Sequence, residues 1–218
     1  MKMSPGSTIP APAAAPRSLA LTFDDGPDPV WTPRLLDLLS DLGATATFFV
    51  IAPCAAAHPE LIDRIAREGH TIGLHCDRHV RHSRRGIDWG RADAAHALEL
   101  LDGVGVRPSW WRTPWGDLAP WSAQVAAEQG LEIVGWTVDT HDWRGDSAER
   151  MFAASAAGLH SGAIVLAHDG IGPGARRDDA SETLRLISLV AAHAAHANLS
   201  LDAIVSLDAS ADVAQIPG

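Results

Sequence analysis

Residues 24 and 25 are both aspartates, placed directly after the apolar run Leu19–Phe23 and before Gly26-Pro27. Adjacent carboxylates repel unless each finds a partner, so the pair asks for a cation. A turn or helix cap forced by Gly26-Pro27 explains the bend, but not two acids after an apolar strand. His75 and His79 add imidazoles four residues apart, a spacing that puts both on one side of a helical turn. Two such nitrogens and one carboxylate, with a fourth position left to water, make a catalytic zinc-type centre rather than a closed structural one. Either Asp24 or Asp25 can be the third ligand. The other acid can then take a proton from a water whose pKa the metal lowers from about 15.7 toward ~7.

Arg112 is a fit partner for that base, because a guanidinium grips a carboxylate in a bidentate fork. His168 closes the apolar stretch "GAIVLAH", which brings its ring to a rim rather than to bulk solvent. Held by a carboxylate, such a ring can protonate a leaving amine; the plain alternative is a hydrogen-bonded core histidine. The stretch "WTVDTHDW" adds Asp139, His141, Asp142 and Trp143.

For these residues to meet, the chain must carry them to one edge. Strand-like runs fall at Leu19–Phe23, Ala46–Ile51, Thr71–Leu74, Ser109–Arg112, Glu132–Val138, Ala163–Ala167 and Leu201–Leu207. Between them lie amphipathic stretches. In "TPRLLDLLSDLG", Thr32 is expected as N-cap, Pro33 at the first helical position and Gly43 just past the end. "HPELIDRIAREG" repeats the plan, with Leu61, Ile62 and Ile65 inward. Further helices are expected at 90–102, 120–129, 147–160 and 180–196. Strands alternating with helices specify a parallel sheet covered by helices, where ligand chemistry gathers at the carboxyl ends of the strands. Five of the seven expected strands end in a titratable or cationic group, and that concentration is the main functional signal.

The bulk properties exclude several classes. With 218 residues, 46% of them hydrophobic, the chain can build a core of ordinary domain size. A formal net charge of −10 disfavours an electrostatic grip on nucleic acid or anionic lipid. No apolar run reaches membrane-spanning length. Residues 1–17, rich in Pro and Ala, read as a flexible leader before a catalytic domain at 18–218. That leader lacks the apolar centre of a secretory signal, which points to the cytoplasm. Cys54 and Cys76 are too few for a disulfide framework and read as free thiols. No GxSxG elbow occurs, which disfavours a serine hydrolase. Nothing specifies an oligomer, and a monomer is the default.

Taken in order, "TFDDGP", "HCDRH", "RTPWG", "DTHDW" and "LAHD" resemble the five motifs of the polysaccharide deacetylase family, whose module is the NodB-homology domain of carbohydrate esterase family 4. The likeness runs from about Ser18 to Leu207. It implies a distorted (β/α) barrel of about seven parallel strands. It also implies hydrolysis of an N-acetyl, less often O-acetyl, group from a carbohydrate, with release of acetate. Asp24 would be the general base, oriented by Arg112. Asp25, His75 and His79 would hold a divalent cation, Zn²⁺ first, with Co²⁺ or Ni²⁺ also suited. His168 would be the general acid, tuned by Asp142. The backbone N–H of Trp115 would join the metal at the oxyanion, and Trp143 and Leu166 would line the acetyl-methyl pocket. One position departs from the pattern: the second motif usually carries Ser or Thr where this chain has Cys76. A thiol bonds more weakly than a hydroxyl, which puts the order of the metal loop in question.

Trp115 and Trp121 fall in post-strand loops, where indole faces suit the C–H faces of sugar rings. Trp110, Trp111 and Trp136 are expected to pack inside. His82 and His141 read as solvated loop residues, Asp139 as structural, and "GIGPGA" as a mobile loop at the site's edge. Two competing readings stand beside carbohydrate deacetylation. The same metal site could act on a small acetylated sugar, a formyl-amine or a cyclic amide; or the chain could be an inactive sugar-binding homologue.

Overall fold

The computed structural model describes residues 17–204. The leader expected at 1–17 lies, apart from Arg17, outside the described residues, as do residues 205–207 of the last expected strand. The strands are β1 (Ser18–Asp24), β2 (Thr47–Ile51), β3 (Thr71–Cys76), β4 (Trp110–Trp111), β5 (Glu132–Ile133), β6 (Val138–Asp139), β7 (Ile164–His168) and β8 (Ser200–Asp202). The helices are α1 (Trp31–Asp41), α2 (Ala52–Ala57), α3 (Pro59–Arg67), α4 (Ile87–Gly103), α5 (Ser122–Glu128), α6 (Ala148–Ser155) and α7 (Ser181–His196). Every strand pairing is parallel, in the order β5-β4-β3-β2-β1-β7-β6, with β8 beside the first half of β1. Among the described residues no helix is long and apolar enough to cross a membrane.

The run 132–138, expected as one strand, is two. β5 and β6 occupy opposite edges of the sheet. The link from Ile133 to Val138 can span at most about 17 Å, so those edges must curl toward each other. The result is the distorted (β/α) barrel that the motifs imply. Arg112 fills the gap in the ladder: its Nη2 donates to the Gly135 carbonyl at 2.8 Å, and its Nε points at the Val134 carbonyl from 3.5 Å.

Strand alternation then decides what faces the barrel interior. β1 is buried along its whole length. Leu19, Leu21 and Phe23 belong to the main core, with Leu35, Leu36 and Leu39 of α1 and Leu186, Ile187 and Val190 of α7. Ala20 instead joins Phe49, Trp110, Val134 and Ile164 in a smaller inner cluster. The same parity puts Thr22 and Asp24 of β1, Arg112 after β4, and Leu166 and His168 of β7 on that inner side.

The start of α1 differs from expectation, and α4 begins three residues before the expected 90, at Ile87. Thr32 is not the N-cap of α1, which begins at Trp31. Asp28 Oδ1 takes the N–H groups of Val30 and Trp31, both at 2.8 Å. Thr32 is buried and donates its hydroxyl to Asp169 Oδ2 at 2.5 Å. Gly43 does end α1, with φ +60°, where a left-handed residue closes a helix. The short helix α2 was not foreseen.

Candidate active site

Consecutive residues on a strand face opposite ways, so Asp24 and Asp25 cannot share a side while β1 continues. The chain turns at Asp25, whose φ of +74° lies in the left-handed region. Both carboxylates consequently line one cavity of about 460 Å³, together with His75, His79, Trp115, Trp143, Leu166 and His168. Arg112 and Asp142 stand behind this wall, bonded to Asp24 and His168. The "GIGPGA" loop forms part of the cavity wall through Gly172, Pro173, Gly174 and Ala175. Gly172 packs so tightly that an added Cβ would lie 1.9 Å from Asp25 Oδ2, so only glycine leaves that carboxylate its place.

Asp25 Oδ1 lies 3.4 Å from His75 Nε2 and 3.2 Å from His79 Nε2. The three candidate ligand atoms all fall within 4.8 Å of one another. Bonds of about 2.0–2.1 Å in a tetrahedron set neighbouring ligand atoms roughly 3.3 Å apart, so the spacing fits a small cation. Asp25 Oδ1 is buried with no hydrogen-bond partner among the described residues, a costly state for an ionised oxygen unless a cation completes it. Burial alone would raise the Asp25 pKa, but the His75 and His79 rings outweigh it and hold the carboxyl well below its usual range. His75 Nδ1 lies 2.7 Å from the Arg112 carbonyl. A carbonyl only accepts, so Nδ1 carries the proton and Nε2 keeps a lone pair for a metal. The two histidines do not meet through a helical turn, as their spacing suggested. His75 sits near the end of β3, the chain bends at 77–78, and His79 follows.

Arg112 is fully buried, and its Nη1 donates to Thr22 Oγ1 at 2.7 Å and to Asp24 Oδ1 at 2.9 Å. The grip on Asp24 is therefore single, not the expected bidentate fork, because Nη2 is spent on Gly135. Phe49 lies under the guanidinium, 4.2 Å from ring centroid to Cζ.

On the next strand, His168 pairs in register with Asp24. Its Nδ1 lies 2.7 Å from Asp142 Oδ1, which leaves Nε2 for the cavity. Asp142 Oδ2 accepts from the His168 amide at 3.0 Å and from Thr183 Oγ1 at 2.8 Å. Burial would lower the His168 pKa, but the Asp142 charge and bond overcome it and push it up to about 9.

Other expectations are corrected. Trp121 does not line the cavity; its indole N–H donates to the Arg85 carbonyl at 3.0 Å, and its ring stacks on His82 at 4.8 Å. His82 is not solvated but buried, 3.0 Å from Ser122 Oγ through Nδ1, and burial pulls its pKa down to about 4. His141 is 38% exposed and pairs with Asp139 at 2.9 Å. Asp169, which follows His168 in the motif "LAHD", is a buried carboxyl under Gly26 whose pKa burial pushes up to about 7. Three residues around the site escaped sequence reasoning. Arg81 sits 4.5 Å over the Trp115 ring. Arg177 braces Asp142 from 3.4 Å and the His168 carbonyl from 2.9 Å. Asp93 accepts the backbone N–H groups of Asp77 and Arg78, just before His79. None of the three had a local signal, because each acts on a chain segment remote in sequence or on backbone groups.

Comparison with known proteins gives a consistent picture. The family model described as polysaccharide deacetylase matches residues 12–134. A chitooligosaccharide deacetylase of Bradyrhizobium sp. (strain ANU 289) is 37% identical over 178 residues, covering 78% of this chain and 78% of the relative. A peptidoglycan-N-acetylglucosamine deacetylase of Bacillus cereus is 37% identical over 151 residues. That match covers 69% of this chain but only 55% of the relative, so the chain spans little more than half of that protein. Among solved structures, a peptidoglycan N-acetylglucosamine deacetylase superposes with TM-score 0.79 at 29% identity, covering 87% of both chains. A family 4 carbohydrate esterase from Streptomyces lividans, in complex with acetate, gives TM-score 0.75 at 28% identity, covering 84% of this chain and 91% of that one.

Proposed function

Because this chain belongs to the polysaccharide deacetylase family, we propose that it is a metal-dependent hydrolase that removes N-acetyl groups from a carbohydrate and releases acetate. One observation carries the reading: a cation-shaped cluster of Asp25, His75 and His79 shares a cavity with Asp24, held by Arg112, and His168, held by Asp142. A sugar-binding homologue would need neither a braced base nor a braced acid.

Asp25 and the two histidines would hold the ion, with Zn²⁺ the best fit to this donor set and Co²⁺ or Ni²⁺ also suited. When bound, the cation supplies Lewis acidity toward the acetyl carbonyl and lowers the pKa of a water from about 15.7 toward ~7. Asp24 takes the proton of the attacking water, while Arg112 keeps its other oxygen fixed and its charge balanced. The backbone N–H of Trp115 would donate to the oxyanion that forms on the acetyl carbonyl oxygen. His168 passes its Nε2 proton to the amine nitrogen as the C–N bond breaks, and Asp142 steadies the imidazolium beforehand. The products are a free amine and acetate. Trp143 and Leu166 would enclose the acetyl methyl group, and the exposed Trp115 would meet the sugar.

The test is product analysis with the Zn²⁺-loaded protein. Chitooligosaccharides are expected to yield acetate and primary amine in equal amounts, faster than small N-acetylglucosamine glycosides. Release from the small glycosides alone would move the assignment to a non-polymeric substrate. No acetate from either would remove it.

A second expectation concerns pH. His168 must begin protonated, and a cation beside Asp25 can only lower its value of about 9. So kcat falls as pH rises through about 9 or somewhat below. Asp142→Asn removes the countercharge and should move this limb down by roughly 1–2 pH units. A limb that stays put would show that His168 is not the acid.

A further inference from the structure

The two histidines of the candidate metal cluster are braced unequally. His75 is locked by the Arg112 carbonyl, but His79 Nδ1 is buried without a hydrogen-bond partner among the described residues. Its ring meets Trp115 edge-on at 4.2 Å between centroids and the His75 ring at 5.1 Å, and Nε2 faces Asp25 Oδ1 at 3.2 Å. With nothing bonded to Nδ1 from behind, the place of His79 depends largely on the backbone that carries it. That backbone, residues 76–79, begins at Cys76, where the family pattern would put a hydroxyl able to bond the loop. Cys76 is buried, and its thiol is a weaker hydrogen-bond donor than a hydroxyl.

Asp93 stands in this gap. It lies on α4, is 2% exposed, and spends both carboxylate oxygens on the loop. Oδ2 accepts the Asp77 N–H at 3.3 Å; Oδ1 accepts the Arg78 N–H at 3.3 Å and the Arg78 Nε–H at 3.0 Å. The two backbone N–H groups immediately before His79 thus converge on one buried carboxylate. Arg78 supplies the countercharge from the surface, its guanidinium lying 5.0 Å over Trp89. A buried acid is costly unless its bonds repay the desolvation, and nothing in the main core calls for one at this place.

We infer that Asp93 is a positioning residue for the metal centre, doing for the His79 loop what a hydroxyl at position 76 would otherwise do. It touches neither substrate nor metal; it fixes where His79 Nε2 stands. The inference rests on the metal-dependent reading above.

The test is Zn²⁺ affinity, measured by competition with a chromophoric chelator, alongside amide hydrogen exchange and melting temperature. Asp93→Asn keeps the volume but can accept through one oxygen only. Asp93→Ala removes every bond. Loss of an outer brace weakens metal binding by about 10–100-fold, and Asp93→Ala should fall in that range with Asp93→Asn between it and wild type. Exchange at residues 77–79 should quicken while the amides of β1 and β7 keep their protection. Saturating Zn²⁺ should restore kcat. Adding Cys76→Ser to Asp93→Ala should recover part of the lost affinity, since a hydroxyl returns to the loop. Wild-type affinity in a folded Asp93→Asn protein, or no recovery in the double variant, would overturn the inference. Failure of the wild-type protein itself to bind Zn²⁺ would instead overturn the metal reading.

Discussion

Asp24→Asn is expected to retain Zn²⁺ and to lower kcat by about 10³–10⁴, near the upper end of what a general base contributes. The substitution is isosteric, and the amide oxygen can still accept from Arg112 Nη1 where Oδ1 does now. What is lost is basicity, since an amide does not take a proton from water. KM should change little, because the step affected is proton transfer and not sugar binding. There is also a cost in stability. Arg112 is fully buried with Asp24 as its carboxylate partner, and removing one member of such a pair costs up to about 3–5 kcal/mol. Melting temperature and Zn²⁺ content must accompany the kinetics. A folded, Zn²⁺-loaded Asp24→Asn protein with full turnover would remove Asp24 as the base.

Metal removal should have an effect as large. Dialysis against a strong chelator is expected to abolish acetate release, and Zn²⁺ to restore it. His75→Ala or Asp25→Ala should stay inactive with Zn²⁺ present, because each deletes an atom of the cluster. The same experiment has a thermodynamic readout. A ligand that binds only the folded state stabilises it by about 4 kcal/mol at a thousand times its Kd. Zn²⁺ should therefore raise the melting temperature of wild type and not of the two variants. Binding should weaken in acid, where protons compete for the imidazole nitrogens. Activity that survives chelation would contradict the scheme.

Much of the site was legible because strands end where loops converge. Asp24, His75, Arg112, Asp142 and His168 each lie at or just past a strand's carboxyl end, and local periodicity located the ends of β1, β4 and β7 within a residue. The split at residues 134–137 was not legible, since "EIVGWTV" is apolar and β-rich throughout; tertiary closure, not propensity, breaks it. His82 was misread for a related reason. Its polarity suggested solvent, but its partner Ser122 and its aromatic neighbours Trp111 and Trp121 arrive from well along the chain. Asp93 looks like any acid on an amphipathic helix until the loop it supports is seen. Side chains that serve backbone groups leave no spacing to read.

The backbone angles at Asp25 and Trp115 carry a consequence for engineering. Both residues hold positive φ at the cavity, at +74° and +56°, a conformation that costs most side chains of order 1 kcal/mol or more and glycine almost nothing. Glycine at Trp115 would relieve that local cost but, on the proposed scheme, would remove the surface that meets the sugar. Glycine at Asp25 would relieve it too, yet would forfeit the larger stabilisation that a bound cation would lend the fold, so durability and turnover part ways at residue 115 and run together at residue 25.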